Sequence, residues 1–296
     1  MPIAESQLET WAHQGSKTQS ASTYETIRRT LLSPSAPYAS RDFEVFLQGS
    51  YGNDTNIYAD SDVDIVIFLT STYYENIETL TPPDKVRHEA DWSAASYQLS
   101  DFKREVAAWL TSNFGSSVDP SGKAILVPGS GSRRDADVLA CAQFRHYRSY
   151  AFPYSSDYAD GICFWAPNGN RIENYPKQHS ANLTTKHQAT GGWVKPVVRV
   201  FKNWRNAKVR DGVLSAGLAP SYFVEGMLWN VPNSLFGRSH QSCVANALVW
   251  LRSADPSTLS CANDQHWLVR DGPSVCWRPA AFEAFLSAAE RDWAVR

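Results

Sequence analysis

Leu47-Gln48-Gly49-Ser50-Tyr51, followed after a loop by Ser61-Asp62-Val63-Asp64-Ile65-Val66-Ile67-Phe68-Leu69, is the stretch from which the fold is read. The second part is an apolar, β-branched run, the pattern of a buried strand. Side chains alternate across a strand, so Asp62 and Asp64 at its start point to the same side. Two like charges held together are costly unless a cation lies between them, and hard cations such as magnesium prefer carboxylate oxygens. Upstream, Gly49-Ser50 closes a strand from Phe43 to Gln48. A glycine followed by a hydroxyl lets backbone N–H groups approach a phosphate closely. One short region thus offers phosphate-binding and metal-binding parts together.

A Gly-Ser turn, a loop carrying Asn53, Thr55 and Asn56, then Ser61-Asp62-Val63-Asp64, resembles the nucleotidyltransferase fold of the DNA polymerase β superfamily. Within it, the wording from Gln48 to Ile57 and from Asp60 to Ile65 is similar to the bacterial cGAS/DncV-like nucleotidyltransferases, the CD-NTases of CBASS anti-phage systems. The resemblance implies a bilobal α/β (α+β) protein: a nucleotidyltransferase lobe with a mixed sheet, then a mostly helical C-terminal lobe, with the active site in the cleft between them. It implies two magnesium ions, for which manganese can substitute, and ribonucleoside triphosphates as substrates.

A two-metal site needs a third carboxylate, and Arg133-Arg134-Asp135-Ala136-Asp137-Val138 supplies candidates. Asp137 stands where an apolar strand starts, as the family's third aspartate does, whereas Asp135 is expected to pair with the adjacent arginines. Gly49 and Ser50 would then bind the donor triphosphate, and Asp62, Asp64 and Asp137 would be both metal ligands and the catalytic carboxylates. Lys195, Arg199 and Lys202 recur at i, i+4, i+7 as a basic stripe on a helix, ordinarily a solvated face. The resemblance makes Lys202 and Ser221 nucleotide-binding, the former on this helix and the latter at the start of a later one. Tyr222 has two readings: a ring stacked on a nucleobase, as the family implies, or a buried core tyrosine.

The rest of the chain sets the frame. A chain of 296 residues with 43% hydrophobic content can bury a substantial core in two lobes. Its net charge of −2 and pI near 6.4 argue against a protein that coats nucleic acid. The five cysteines are scattered and form no C-x-x-C pair, so they read as reduced, mostly buried thiols rather than as a disulfide or zinc framework. No apolar run of membrane-spanning length and no leader at Met1 to Gln14 is found, so a cytoplasmic monomer, away from any membrane, is expected.

Helical spacing marks Ser6 to Gln14, Ser22 to Leu32, Ser93 to Phe114, the segment from Trp193, Pro220 to Val231, Gln241 to Leu251 and Pro279 to Trp293. Short apolar runs at Ala124–Val127, Val138–Ala142 and Ile162–Ala166 read as further strands, and Asn168-Gly169-Asn170 as a turn. Trp165, Trp193, Trp204 and Trp229 are expected in the core. A change from mixed α/β to mostly α near Tyr175 divides the chain into 1–174 and 175–296.

The expected activity is a cyclic dinucleotide synthase using ATP and GTP, without a DNA or RNA activator and with regulatory proteins of the same defence system as partners. The alternatives are a nucleotidyltransferase acting on a small molecule, a protein or an RNA end, and a catalytically silent nucleotide-binding protein.

Overall fold

The computed structural model describes residues 3–15, 18–58, 62–152 and 155–293. The chain divides into two compact units, one of residues 17–48 and 61–176 and the other of residues 1–16, 49–60 and 177–296.

The first unit is built on a six-stranded mixed sheet. Its strands are β1 (Phe43–Leu47), β2 (Val63–Asn76), β3 (Ile125–Val127), β4 (Ala136–Ala151), β5 (Ser155–Trp165) and β6 (Arg171–Asn174), in the order β1-β2-β4-β5-β6, with β3 paired to the start of β4. Strands β2 and β4 run parallel and the other pairs antiparallel. A parallel pair needs a long crossover, and the residues between β2 and β4 supply it. They include α4 (Pro82–Asp91) and α5 (Leu99–Phe114), while α2 (Thr18–Leu31) precedes the sheet.

The apolar run in β2 lacks a polar face because both faces are covered. Val63, Ile65, Ile67 and Leu69 pack with Ile27, Leu31, Phe102 and Val106 from α2 and α5. Val66 and Phe68 face the other way, against Phe46, Leu139, Cys141 and Ile162. Strands buried on two sides read as continuous hydrophobic sequence. The strands at 138–142 and 162–166 extend well beyond their expected limits, through polar stretches whose alternation is set by pairing with one another.

The second unit is helical: α1 (Glu5–Ala12), a single turn α3 (Gly49–Gly52), α6 (Pro176–Ala189), α7 (Val194–Arg210), α8 (Ser221–Asn230), α9 (His240–Ser253) and α10 (Pro279–Trp293). Trp204, Trp277, Phe201 and Phe285 are fully buried at its centre with Leu8, Val224 and Leu248. All five cysteines of the protein are buried, and none is in a disulfide. No described helix is long and apolar enough to cross a membrane.

Three differences from the sequence expectations have physical causes. Helix α4 stands where the spacing marked no helix and opens on Pro82-Pro83: Thr81 Oγ1 caps it by accepting the Asp84 N–H, and prolines in a first turn forfeit no needed donor. Helix α6 buries His179, Leu183 and Lys186, a mostly polar face without apolar periodicity, and so left no signal. The segments 1–16 and 49–60 group with 177–296, although the division at Tyr175 assigned them to the first lobe. The cause is long-range bonding: Glu5 accepts the His240 and Gln241 N–H groups at 2.6 and 2.8 Å, which caps α9, and Asn203 donates to the Trp11 carbonyl at 2.9 Å.

Candidate active site

In the sheet unit, the register of β2 against β4 sets Asp64 directly beside Asp137 and Val63 beside Ala136. Val63 and Ala136 are fully buried under the helices, so the two aspartates project from the other face, the one that continues into Val66, Phe68, Leu139 and Cys141. Asp62 precedes Asp64 by two and is solvent-exposed, whereas Asp64 and Asp137 are half-buried. Burial and then the neighbouring Asp62 and Asp135 carboxylates push the Asp137 carboxyl above its ordinary value of 3.8. Burial is the larger cause, and the like charges nearby act in the same direction. Asp60 and Ser61 lie outside the described residues.

Asp135 feels the charge of the adjacent Arg133, and it has a backbone partner as well. One of its carboxylate oxygens accepts the Gly129 N–H at 2.5 Å, and the Arg133 guanidinium lies over the Phe114 ring at 4.8 Å. Arg134 gives its backbone N–H to Thr23 Oγ1 at 2.9 Å.

The donor set of Asp62, Asp64 and Asp137 consists of carboxylate oxygens only. Among the described residues no three His, Cys, Asp or Glu side chains close on one point, as a preformed zinc or calcium cage would require. Magnesium differs, for it keeps its waters and is held by one or two carboxylates together with substrate phosphates, so these residues fit it.

The Gly49-Ser50 turn follows β1 directly. Gln48, the residue before it, donates its N–H to the Asp64 carbonyl at 2.9 Å. Gly49 has φ 67°, a left-handed conformation that glycine tolerates without strain. The Gly49 carbonyl accepts the Asn53 N–H at 3.0 Å and the Ser50 carbonyl accepts the Thr55 N–H at 2.9 Å, which folds the following loop back onto the turn.

In the helical unit the basic stripe is not a solvated face. Lys195, Arg199 and Lys202 are 5, 9 and 0% exposed, and all three are directed at loop 53–56. Lys195 Nζ pairs with Asp54 at 3.4 Å, Arg199 Nη1 donates to the Asp54 carbonyl at 2.7 Å, and Lys202 Nζ donates to the Thr55 carbonyl at 2.9 Å. Arg199 Nε also holds the Ala12 carbonyl at 2.6 Å. Carbonyl oxygens otherwise stripped of water explain why cations are tolerated here. The expected triphosphate contact, Lys202, is therefore occupied within this unit by the loop.

Ser221 is the first residue of α8, and its hydroxyl accepts from Arg205 Nη1 at 3.3 Å. Tyr222 is half-buried. Its ring stacks on the His179 imidazole at 5.0 Å between centroids, and its hydroxyl accepts from Asn263 Nδ2 at 2.9 Å. Burial, above all, drives its phenol well above the usual tyrosine range.

Sequence reasoning missed Glu225. This carboxylate is 3% exposed and accepts from Asn53 Nδ2 at 3.0 Å, from Thr55 Oγ1 and from His179 Nε2 at 2.7 Å. Burial alone would raise its pKa, but the hydrogen bond and charge of His179, the Thr55 hydroxyl and the Lys202 charge hold it below 4.5. One signal was available: it is the single charged residue in the helix Ser-Tyr-Phe-Val-Glu-Gly-Met-Leu-Trp-Asn. His179 carried none.

A family model of the cGAS/DncV-like nucleotidyltransferase C-terminal helical domain matches residues 181–294. A cyclic UMP-AMP synthase of Rhodothermus marinus is 38% identical over 294 residues, covering 99% of this chain and 98% of the relative. The cyclic nucleotide synthase CdnE01 of Staphylococcus haemolyticus is 32% identical, with 99% of each chain covered. A solved structure of Rhodothermus marinus CdnE c-UMP-AMP synthase with Apcpp and Upnpp superposes with a TM-score of 0.88 at 36% identity, covering 99% of this chain and 97% of that one.

Proposed function

The chain belongs to the cGAS/DncV-like nucleotidyltransferases, and from that premise we propose that it joins two ribonucleoside triphosphates into a cyclic dinucleotide that serves as a second messenger in anti-phage defence. The single observation that carries the chemistry is the β2–β4 register, with Asp64 beside Asp137 and Asp62 two residues earlier.

Asp62 and Asp64 would hold two magnesium ions, and Asp137 would complete the site nearest the acceptor hydroxyl. Magnesium, when bound, lowers the hydroxyl's pKa and neutralises charge at the phosphate oxygens. The backbone N–H groups of Gly49 and Ser50 orient the donor triphosphate for in-line attack, since phosphoryl transfer depends mainly on positioning and electrostatics. The acceptor oxygen bonds to the donor's α-phosphorus, and pyrophosphate leaves. A second transfer by the same residues closes the ring and releases a second pyrophosphate. Ser221 and Tyr222 at the head of α8 contact nucleotide, with the Tyr222 ring backed by His179. Lys202 acts on the triphosphate through loop 53–56, which it anchors.

For the bases, similarity over 99% of the chain to a synthase named for UMP and AMP supports ATP and UTP. The wording from Gly49 to Ile65 favours the second reading, ATP and GTP. Adenosine is common to both.

The test supplies the four ribonucleoside triphosphates, together and in pairs, with magnesium and no DNA or RNA. The expected product resists phosphatase, has the mass of two nucleoside monophosphates less two waters, and forms from ATP with UTP. A linear product, strict dependence on added nucleic acid, or transfer only to another acceptor refutes the reading. In cells, protection against phage that survives Asp62→Ala with Asp64→Ala refutes the signalling role.

A further inference from the structure

A charge inside an otherwise apolar helix is costly, and replacing a buried ion pair by well-packed hydrophobic residues is often neutral or stabilising. Glu225 in α8 nevertheless carries one, and its two oxygens have different partners. Oε1 takes the Thr55 hydroxyl, while Oε2 takes the Asn53 amide at 3.0 Å and the His179 ring at 2.7 Å.

Each partner leads on to a residue assigned above to the nucleotide. Thr55 and Asn53 give their backbone N–H groups to the Ser50 and Gly49 carbonyls, at 2.9 and 3.0 Å. His179 lies against the Tyr222 ring with 25° between the planes. The loop between has reason to need holding, since Asp54 adopts φ 57° without being glycine.

Building on the proposed nucleotide chemistry, we propose that Glu225 is a positioning residue. Through Asn53 and Thr55 it fixes the Gly49-Ser50 turn, and through His179 it fixes the Tyr222 ring. One buried carboxylate thereby sets the triphosphate contact and the base contact against each other. Neither contact needs Glu225 to touch substrate. Its value is pre-organisation: a turn and a ring already in place spare the ordering entropy that binding would otherwise incur.

The test compares Thr55→Val, Thr55→Ser and Glu225→Gln with wild type. Thr55→Val deletes only the hydroxyl arm, Thr55→Ser keeps it, and Glu225→Gln retains the shape but loses the charge and replaces one accepting oxygen by an NH2, so it cannot accept from Thr55 on one side and from Asn53 with His179 on the other. Readouts are circular dichroism and thermal melting for the fold, the Kd of a non-hydrolysable ATP analogue with magnesium, and kcat and KM. A hydrogen bond to a charged group is worth about tenfold to a hundredfold in an equilibrium constant, so Thr55→Val should raise Kd and KM by about tenfold or more. Thr55→Ser should lie near wild type, Glu225→Gln should exceed Thr55→Val, and kcat should change less than KM. A purely structural role lowers the active fraction, and hence apparent kcat, at unchanged KM and Kd. That pattern, or loss of fold in Thr55→Val, overturns the proposal. A wild type that binds the analogue yet makes no dinucleotide defeats the synthase reading instead and leaves the Kd comparison standing.

Discussion

Lys202→Met removes the ammonium from a fully buried position while keeping most of the side chain's length and apolar bulk. The lost bond runs 2.9 Å to the Thr55 carbonyl, and the lost charge is one of those that hold the Glu225 carboxyl below 4.5. A single hydrogen bond to a charged group contributes about 1.5–3 kcal/mol. Deleting one member of a buried charged pair costs about 3–5 kcal/mol, because the other charge stays buried. Glu225 keeps Asn53, Thr55 and His179, so the lower end, about 3 kcal/mol, is expected. That is roughly a hundredfold in the folding equilibrium. Urea unfolding followed by tryptophan fluorescence reads it directly, since Trp204, Trp277 and Trp293 lie in the same core. The midpoint should fall while the slope stays constant. A variant within about 0.5 kcal/mol of wild type, the range of ordinary surface substitutions, would show that the ammonium is solvated and that the stripe is a bland basic face after all.

Asp64→Asn should abolish product formation with the fold intact and stability unchanged or slightly raised, because it removes one of two like charges set side by side in register; retention of an appreciable fraction of activity counts against the metal role. Glu225 contributes to stability in a pH-dependent way: its folded value lies below the ordinary 4.5, so its contribution is complete above that pH and is lost as pH falls through the folded value. Unfolding midpoints measured from pH 6 to 3 should therefore drop less steeply in Glu225→Gln than in wild type, and parallel curves would disprove it. Gly15→Ala places a Cβ 2.6 Å from the Ile57 carbonyl, closer than real atoms approach. It should destabilise the protein by about 1–3 kcal/mol, the usual cost of overpacking, and a thermal melt unchanged from wild type would mean that the N-terminal segment does not lie on this loop.

Parts whose pattern is local were legible in the chain before any fold was known. Asp62 and Asp64 share a face because strand side chains alternate, and the apolar run after them could only be a strand covered on both sides. The turn at Gly49-Ser50 and most helices of the second unit were legible from glycine placement and apolar spacing for the same reason. What pairs with what was not legible, because partners distant in the chain leave no periodicity. Asp137 was singled out through the resemblance, but its register beside Asp64, the grouping of 1–16 and 49–60 with the helical unit, and the inward turn of Lys195, Arg199 and Lys202 came from tertiary pairing alone. Their i, i+4, i+7 spacing is the same whether a helix shows its cations to water or to a loop of buried carbonyls. The choice is made by Asp54 and Thr55, more than 140 positions away along the chain.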